Sequence, residues 1–194
     1  MNAPFRTAPR DAAPLKHRLT LDEVLFLWEG GAFAGYPDIE LIDGDIYEMP
    51  ADGTRTRDWN AAIAKVLYRA LLDTVYTIVP DKTLDLVEHY APKPDFWIHD
   101  RRSSGDVTGA NVLLAIEISD TTIAWDRDVK APAYEKGGVR EHWRIECEAR
   151  QIVVYRLGPD GTYGAPTTVA FDGTVEATLV PGLKLRLADL DLPA

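Results

Sequence analysis

Residues 113–120 read Leu-Leu-Ala-Ile-Glu-Ile-Ser-Asp, LLAIEISD. With Val112 before it, the run Val112–Ser119 is apolar on both faces, the pattern of a strand at the centre of a sheet. Glu117 sits in the middle of that run. A buried carboxylate without a partner costs several kcal/mol or takes up a proton. A second short strand carries a second acid: in APKPDFWIHD, residues 91–100, Asp95 stands immediately before Phe-Trp-Ile. The two acids are 22 residues apart. That is enough chain to leave one strand, turn through Ser103-Ser104-Gly105 and return on a neighbour. Two carboxylates brought together at strand ends repel, so they share either a proton or a cation. Mg²⁺ is the natural guest, because it is hard, takes oxygen ligands and often uses only one or two protein carboxylates. Such an ion activates water and stabilises phosphoryl transfer. A lysine beside it would orient or deprotonate that water. Plainer readings stand next to this one. Asp95 after Pro94 reads equally as a turn residue, and Glu117 as the partner of Arg127 or Arg144 in an ordinary ion pair.

Outward from these strands the chain reads as mixed α and β. Thr20-Leu-Asp-Glu23 is a capping box, and Leu21, Val24, Leu25 and Trp28 follow at helical spacing up to Gly30-Gly31. Ile39–Met49 reads as a hairpin about Asp43-Gly44. A helix from about Asp58 places Ile63, Val66, Leu67, Ala70 and Leu71 on one face, with Asn60, Lys65 and Arg69 on the other. Strands are expected at Val75–Val79, Leu84–Glu88, Asp95–Ile98 and Val112–Ser119. A short helix is expected over Lys130–Lys136, started late or kinked by Pro132. Glu141–Ile145 and Gln151–Arg156 form a second hairpin across Glu148-Ala149. Thr167–Phe171, Thr178–Val180 and Leu183–Leu187 read as further short strands. Trp28, Trp97 and Trp143 lie in apolar patterns and are expected in the core; Trp59 and Trp125 adjoin polar segments and are the candidates for exposure.

The chain has 194 residues, 46% hydrophobic and 27% charged, a composition that supports a core without disulfide or metal staples. Residues 1–18 read as a flexible N-terminal tail and residues 19–194 as one domain. Cys147 is the only cysteine, which excludes an intrachain disulfide and points to a reducing, cytoplasmic setting. No Cys/His spacing suggests zinc, and no apolar run is long enough to cross a bilayer. The net charge of -10 argues against a broad electrostatic grip on nucleic acid. Thr121–Arg150 departs from that balance, with six basic and six acidic residues.

Pro94-Asp95, Glu117-Ile-Ser119, Asp128-Val-Lys130 with Tyr134, then GGVREHWRIE and ARQIVVYR, resemble the Uma2 family of restriction-endonuclease-like proteins, which carry the PD-(D/E)XK nuclease core. The early YPDIELIDGDIYEMP is similar to that family's YELIDGELVEM stretch. The resemblance runs from about Leu19 to Leu190. It implies an α/β fold with a restriction-endonuclease-like core: a central mixed sheet flanked by helices, with additional β-hairpins. It implies Asp95 and Glu117 as metal ligands, for Mg²⁺ or alternatively Mn²⁺. The lysine that usually stands two residues after the glutamate is Ser119 here, and Lys130 on the following helix matches the family's substitute. Glu40 matches the early glutamate and would complete an acidic pocket. Family members often carry a histidine just before the second helix, where this chain has Asp58-Trp59. Read without the family, Glu40 is an outward residue of a hairpin. Lys130 is then a solvated helix residue. As the water-activating group it is expected to be replaceable by alanine at under about 0.5 kcal/mol, with folding and metal binding nearly intact and cleavage lost.

Three functions follow as expectations. The first is a Mg²⁺-dependent DNA endonuclease with Asp95, Glu117, Lys130 and Glu40 in its site, working as a homodimer because duplex cleavage needs two centres. The second is a non-catalytic binding or assembly module of the same fold, its acids held in salt bridges. The third is a metal-dependent hydrolase of a smaller phosphoester, which the acidic charge favours.

Overall fold

The computed structural model describes residues 15–36 and 38–192. In chain order the elements are α1 (Leu21–Glu29), β1 (Ile39–Ile42), β2 (Asp45–Glu48), α2 (Thr54–Leu71), β3 (Tyr76–Pro80), β4 (Phe96–Asp100) and β5 (Val112–Ser119). A helical run follows, made of α3 (Ile123–Trp125), a π-turn over Asp126–Lys130 and α4 (Ala131–Lys136). Then come β6 (Glu141–Glu146), β7 (Gln151–Arg156), β8 (Thr167–Val169), β9 (Val175–Glu176) and β10 (Lys184–Leu185).

Six strands form one sheet in the order β3-β4-β5-β6-β7-β8. Every neighbouring pair is antiparallel except β5 and β6, which run parallel. A parallel pair needs a crossover, and the α3–α4 run supplies it. β5 lies inside the sheet, as its two apolar faces require. Phe96, Ile98, Leu114, Ile116 and Ile118 face α2, where Ile63, Leu67 and Leu71 close the main core together with Trp143, Ile145 and the C-terminal Val180 to Leu187. Trp97 and Ala115 face the other way, toward Tyr134 and Ala133 of α4. Side chains alternate along a strand, so Glu117 belongs to this second face.

The Asp43-Gly44 turn forms as expected: both residues have positive φ, 53° and 80°, and β1 and β2 pair across them. The capping box of α1 is complete. Its helix and this hairpin share a small core of Val24, Leu41 and Ala91. Of the stretch expected to be a tail, residues 1–14 lie outside the described residues. Lys16 and Arg18 pair with Asp45 and Asp43 of the hairpin turn.

Several local expectations are corrected. α2 begins at Thr54, not near Asp58, because Gly53 already adopts the extended geometry of a cap. Leu84–Glu88 is not a strand. Leu84 and Leu86 are buried, but the chain reverses at His89, whose φ is +72°, and the segment folds back on Tyr90–Pro92 through the Val87–Tyr90 bridge and the Leu86 and Leu84 N–H groups donating to the Tyr90 and Pro92 carbonyls. Thr178–Val180 is a bend between β9 and β10 that leads into a turn closed by the Leu183 N–H donating to the Val180 carbonyl. Trp28 is 46% exposed and Trp59 only 6%, the reverse of their expected places; Trp125 is half-buried against Tyr47. Trp59 lies on the face of α2 that meets the sheet, whereas Trp28 lies on a helix with little packed over it.

The helix after β5 resolves the difficulty of Pro132. Proline cannot donate to a carbonyl one turn back. The chain passes first through a π-turn, in which Ala131 N–H reaches the Asp126 carbonyl five residues back, and Pro132 falls near the start of α4. Single π-turns of this kind cluster at functional sites. This one places both Asp126 and Lys130 in the interior.

Candidate active site

Four segments meet at the end of β5. Leu41 and Ala91 exchange backbone hydrogen bonds, which brings β1 alongside Pro92-Lys93-Pro94-Asp95. Asp95 leads directly into β4, whose neighbour is β5 with Glu117. The π-turn closes the group from above. The resulting cleft of about 70 Å³ is lined by Glu40, Asp95, Glu117, Asp126 and Lys130, with Lys93, Asp38, Asp52 and Asp81 at its mouth. All four residues singled out in the sequence are therefore in one place.

Lys130 is the centre of the cluster. Its Nζ lies 2.9 Å from Glu40 Oε1 and 3.0 Å from Glu117 Oε1, and none of the three side chains is more than 4% exposed. The solvated-face reading of Lys130 and the outward reading of Glu40 are both overturned. So is the pairing of Glu117 with Arg127 or Arg144, which instead bind Asp128 and Glu146. Burial by itself would lower the Lys130 pKa. The charges of Glu117, Glu40 and Asp126 outweigh it, so the amine is held well above its ordinary range and stays an ammonium ion.

The carboxyls show the opposite strain. Burial raises Glu40, and it raises Glu117 strongly, with Lys130 opposing in both cases. Asp95 keeps some exposure to the cleft, yet loss of water still pushes it up to about 6, against the hydrogen bond it accepts from Ile118 N–H. That bond is 2.7 Å long, and Asn60 of α2 donates to the other oxygen at 3.2 Å.

Glu117 is oriented by two donors on the same oxygen. The buried Tyr134 hydroxyl and the Lys130 ammonium both bind Oε1, which leaves Oε2 free of them. Glu40 is similar: Oε1 takes Lys130 and the Lys93 N–H at 3.2 Å, while Oε2 is buried without a hydrogen-bond partner. Ser119, in the position of the usual lysine, donates to Asp126 Oδ2 at 2.7 Å, and Thr122 does so at 2.6 Å.

Sequence reading gave Asp126 no role. Its one signal was its spacing, four residues before Lys130 on a helix, which puts the two on the same side. The role of Tyr134 as a donor to Glu117, and of Asn60 as a donor to Asp95, carried no local signal.

The cleft carries seven carboxyl side chains against two lysines. One ammonium inside a nest of acids cannot balance them. Burial is the main cause of the raised carboxyls, with the neighbouring acids adding to it; a hard divalent cation with its water would offset both and give the unpartnered Glu40 oxygen a partner. Among the described residues no three acidic, imidazole or thiol groups are gathered tightly enough to form a cage by themselves. Two carboxylates completed by water and phosphate oxygens is the usual manner of Mg²⁺.

A mixed sheet with an acid ahead of one central strand, an acid inside the next, and a buried lysine over both defines a protein of the restriction-endonuclease-like class. A solved structure described as "a putative nuclease belonging to DUF820" from Anabaena variabilis superimposes with a TM-score of 0.66 over 88% of this chain and 96% of that one, at 18% identity, which shows the shared fold. The Uma2 family model, described as "putative restriction endonuclease", matches residues 25–188, and the chain belongs to that family. The type IIG restriction endonuclease BpuSI also aligns, over 54% of this chain and 12% of that one at 18% identity, but with a TM-score of 0.33 the likeness carries no argument. No curated protein matches the sequence.

Proposed function

We propose that the protein is a divalent-metal-dependent endodeoxyribonuclease that hydrolyses phosphodiester bonds in this cleft. The observation that carries the reading is the pairing of Glu40 and Glu117 with one buried lysine, beside Asp95, in a polar cleft with more acid than its own cations balance. Asp95 and Glu117 would hold Mg²⁺ or Mn²⁺, Glu117 through the oxygen that Tyr134 and Lys130 leave free. The bound ion supplies an activated water and positive charge at the phosphoryl oxygens.

The other roles belong to the chain itself. Lys130 stays protonated, so it does not serve as the base that the sequence reading allowed. It fixes Glu40 and Glu117 and keeps a positive charge beside the place where negative charge develops. Glu40 offers its unpartnered oxygen to a water within the cleft. Asp126, tied down by Ser119 and Thr122, adds negative charge behind Lys130 and helps to keep it ionised. In this reading the protein acts on DNA as a homodimer in the cytoplasm.

A second reading is hydrolysis of a smaller phosphoester. The acidic surface and the narrow cleft favour it.

The test is a panel of supercoiled, linear and single-stranded DNA together with an aryl phosphodiester, each with Mn²⁺, with Mg²⁺ and with EDTA. The nuclease reading expects cleavage of DNA that needs the metal and is lost in Glu117→Gln. Turnover of the aryl ester alone would select the second reading. Metal-independent cleavage, or cleavage that survives Glu117→Gln, would refute both.

A further inference from the structure

Resting on the nuclease reading, we propose that the apolar pocket beside the acidic cleft is a nucleobase subsite, which takes the base of a nucleotide adjoining the scissile phosphate. The pocket has a volume of about 390 Å³, within the range of roughly 300–1,000 Å³ usual for small-ligand sites. One wall is α1. Leu21, Val24, Leu25 and Trp28 recur at helical spacing and all line it. The facing wall is β1, through Ile39 and Leu41.

Its position identifies the occupant. β1 alternates, so Ile39 and Leu41 point into the pocket while Glu40 between them points into the cleft. One strand thus separates the two spaces by its own thickness. Asp38 and Lys93 line both, and their ion pair at 2.7 Å forms the sill between them. A molecule with its phosphate in the cleft has its neighbouring ring within reach of the pocket. The lining suits a base: an indole for stacking, aliphatic walls for the ring faces, and Asp38, Thr83, Asp85 and Lys93 at the edge to meet its donors and acceptors. Trp28 is 46% exposed although its helix is well formed, so its indole is available to a ligand.

The charge of the protein gives the pocket its purpose. A chain of net charge -10 gains little from phosphate contacts. Stacking on an aromatic ring supplies affinity through the base and not through the phosphates. Removing a base from a duplex costs unstacking energy, which is least in single-stranded DNA. The subsite therefore favours single-stranded or locally opened substrate.

The experiment separates base from backbone. The full-length protein is titrated, in Ca²⁺, with a fluorescent oligothymidylate and with an oligomer of the same number of phosphates made wholly of abasic sugars. The ratio of the two Kd values is the contribution of the bases. Trp28→Ala should reduce that ratio about 5- to 150-fold, the range of one stacked base, and leave abasic binding unchanged. Trp28→Phe should keep most of it. Unchanged far-ultraviolet circular dichroism of each variant shows that the fold is retained. Equal ratios in wild type and Trp28→Ala would overturn the proposal, as would equal losses on both oligomers. A change in sedimentation with no change in the ratio would make the face a protein interface and also overturn it. Metal-dependent cleavage of the oligothymidylate, compared with Glu117→Gln, is scored in parallel. Cleavage without base discrimination at Trp28 removes the subsite and leaves the nuclease standing; base discrimination without cleavage does the reverse.

Discussion

Replacing Lys130 with methionine keeps the length of the side chain and removes its charge. Among the described residues that charge is the only ammonium in contact with Glu40 and Glu117, at 2.9 and 3.0 Å, with every side chain at most 4% exposed. Removing one partner of a buried pair is destabilising by about 3–5 kcal/mol, because the other charge stays behind without compensation. A native domain is stable by only about 5–15 kcal/mol, so Lys130→Met should lose a large part of its stability at neutral pH. A lysine on a solvated helix face would lose under about 0.5 kcal/mol, and the two cases are well separated. Urea unfolding in EDTA measures the difference, with the slope of the transition checked for constancy. Glu117→Gln combined with Lys130→Met should recover part of the loss, since it removes the charge left unpaired; a coupling of about 1 kcal/mol or more is expected for groups in one network. The penalty should also shrink as pH falls, because burial has already raised Glu40 and Glu117 and both then take up protons. A Lys130→Met protein as stable as wild type at neutral pH, or a strictly additive double variant, would refute the reasoning.

Four further outcomes are expected. Asp95 has its pKa raised from 3.8 to about 6, so the stability tied to its neutral form is complete below 3.8 and lost as pH rises through about 6. In metal-free buffer the wild type should therefore lose up to about 3 kcal/mol relative to Asp95→Asn over that interval, less where the cleft lets water in; parallel denaturation curves at all pH values would contradict it. Addition of Mg²⁺ at neutral pH should restore the wild type and leave Asp95→Asn unchanged, as read by thermal midpoint. Tyr134→Phe removes the hydroxyl that holds Glu117 Oε1 while keeping the ring against His142; a loss of about 1.5–3 kcal/mol is expected, with weaker Mn²⁺ binding by calorimetry. Gly44→Ala puts a Cβ 2.4 Å from that of Arg18, at a φ of +80°; it should destabilise the hairpin that carries Glu40, seen as faster amide exchange in β1 and β2.

The sequence by itself determined the strand at the centre of the sheet and the two acids on its scaffold. Val112–Ser119 is apolar on both faces, short and rich in β-branched residues, the pattern of a covered strand. Asp43-Gly44 fixed one hairpin and Thr20-Glu23 fixed the start of a helix, because turns and caps are made by residues adjacent in the chain. Periodicity failed where burial depends on what lies opposite. Leu84 and Leu86 alternate like a strand, but the reversal at His89 folds the segment back on itself, so their N–H groups donate to Pro92 and Tyr90 just across the turn and not to a strand of the sheet. The apolar pattern around Trp28 and the polar one around Trp59 point the wrong way, because the packing of α2 on the sheet buries Trp59 and the open side of α1 leaves Trp28 exposed. The site was legible as residue types and not as an arrangement. Glu40, Asp95, Glu117 and Lys130 could be named, but the ion pairs among them join residues up to 90 positions apart. The parallel placing of β6, the bridge from Leu41 to Ala91 and the π-turn ahead of Pro132 bring them together. Only that tertiary arrangement removes Lys130 from water and keeps it charged, because a lysine's charge state is set by the acids packed around it and not by its neighbours in the chain.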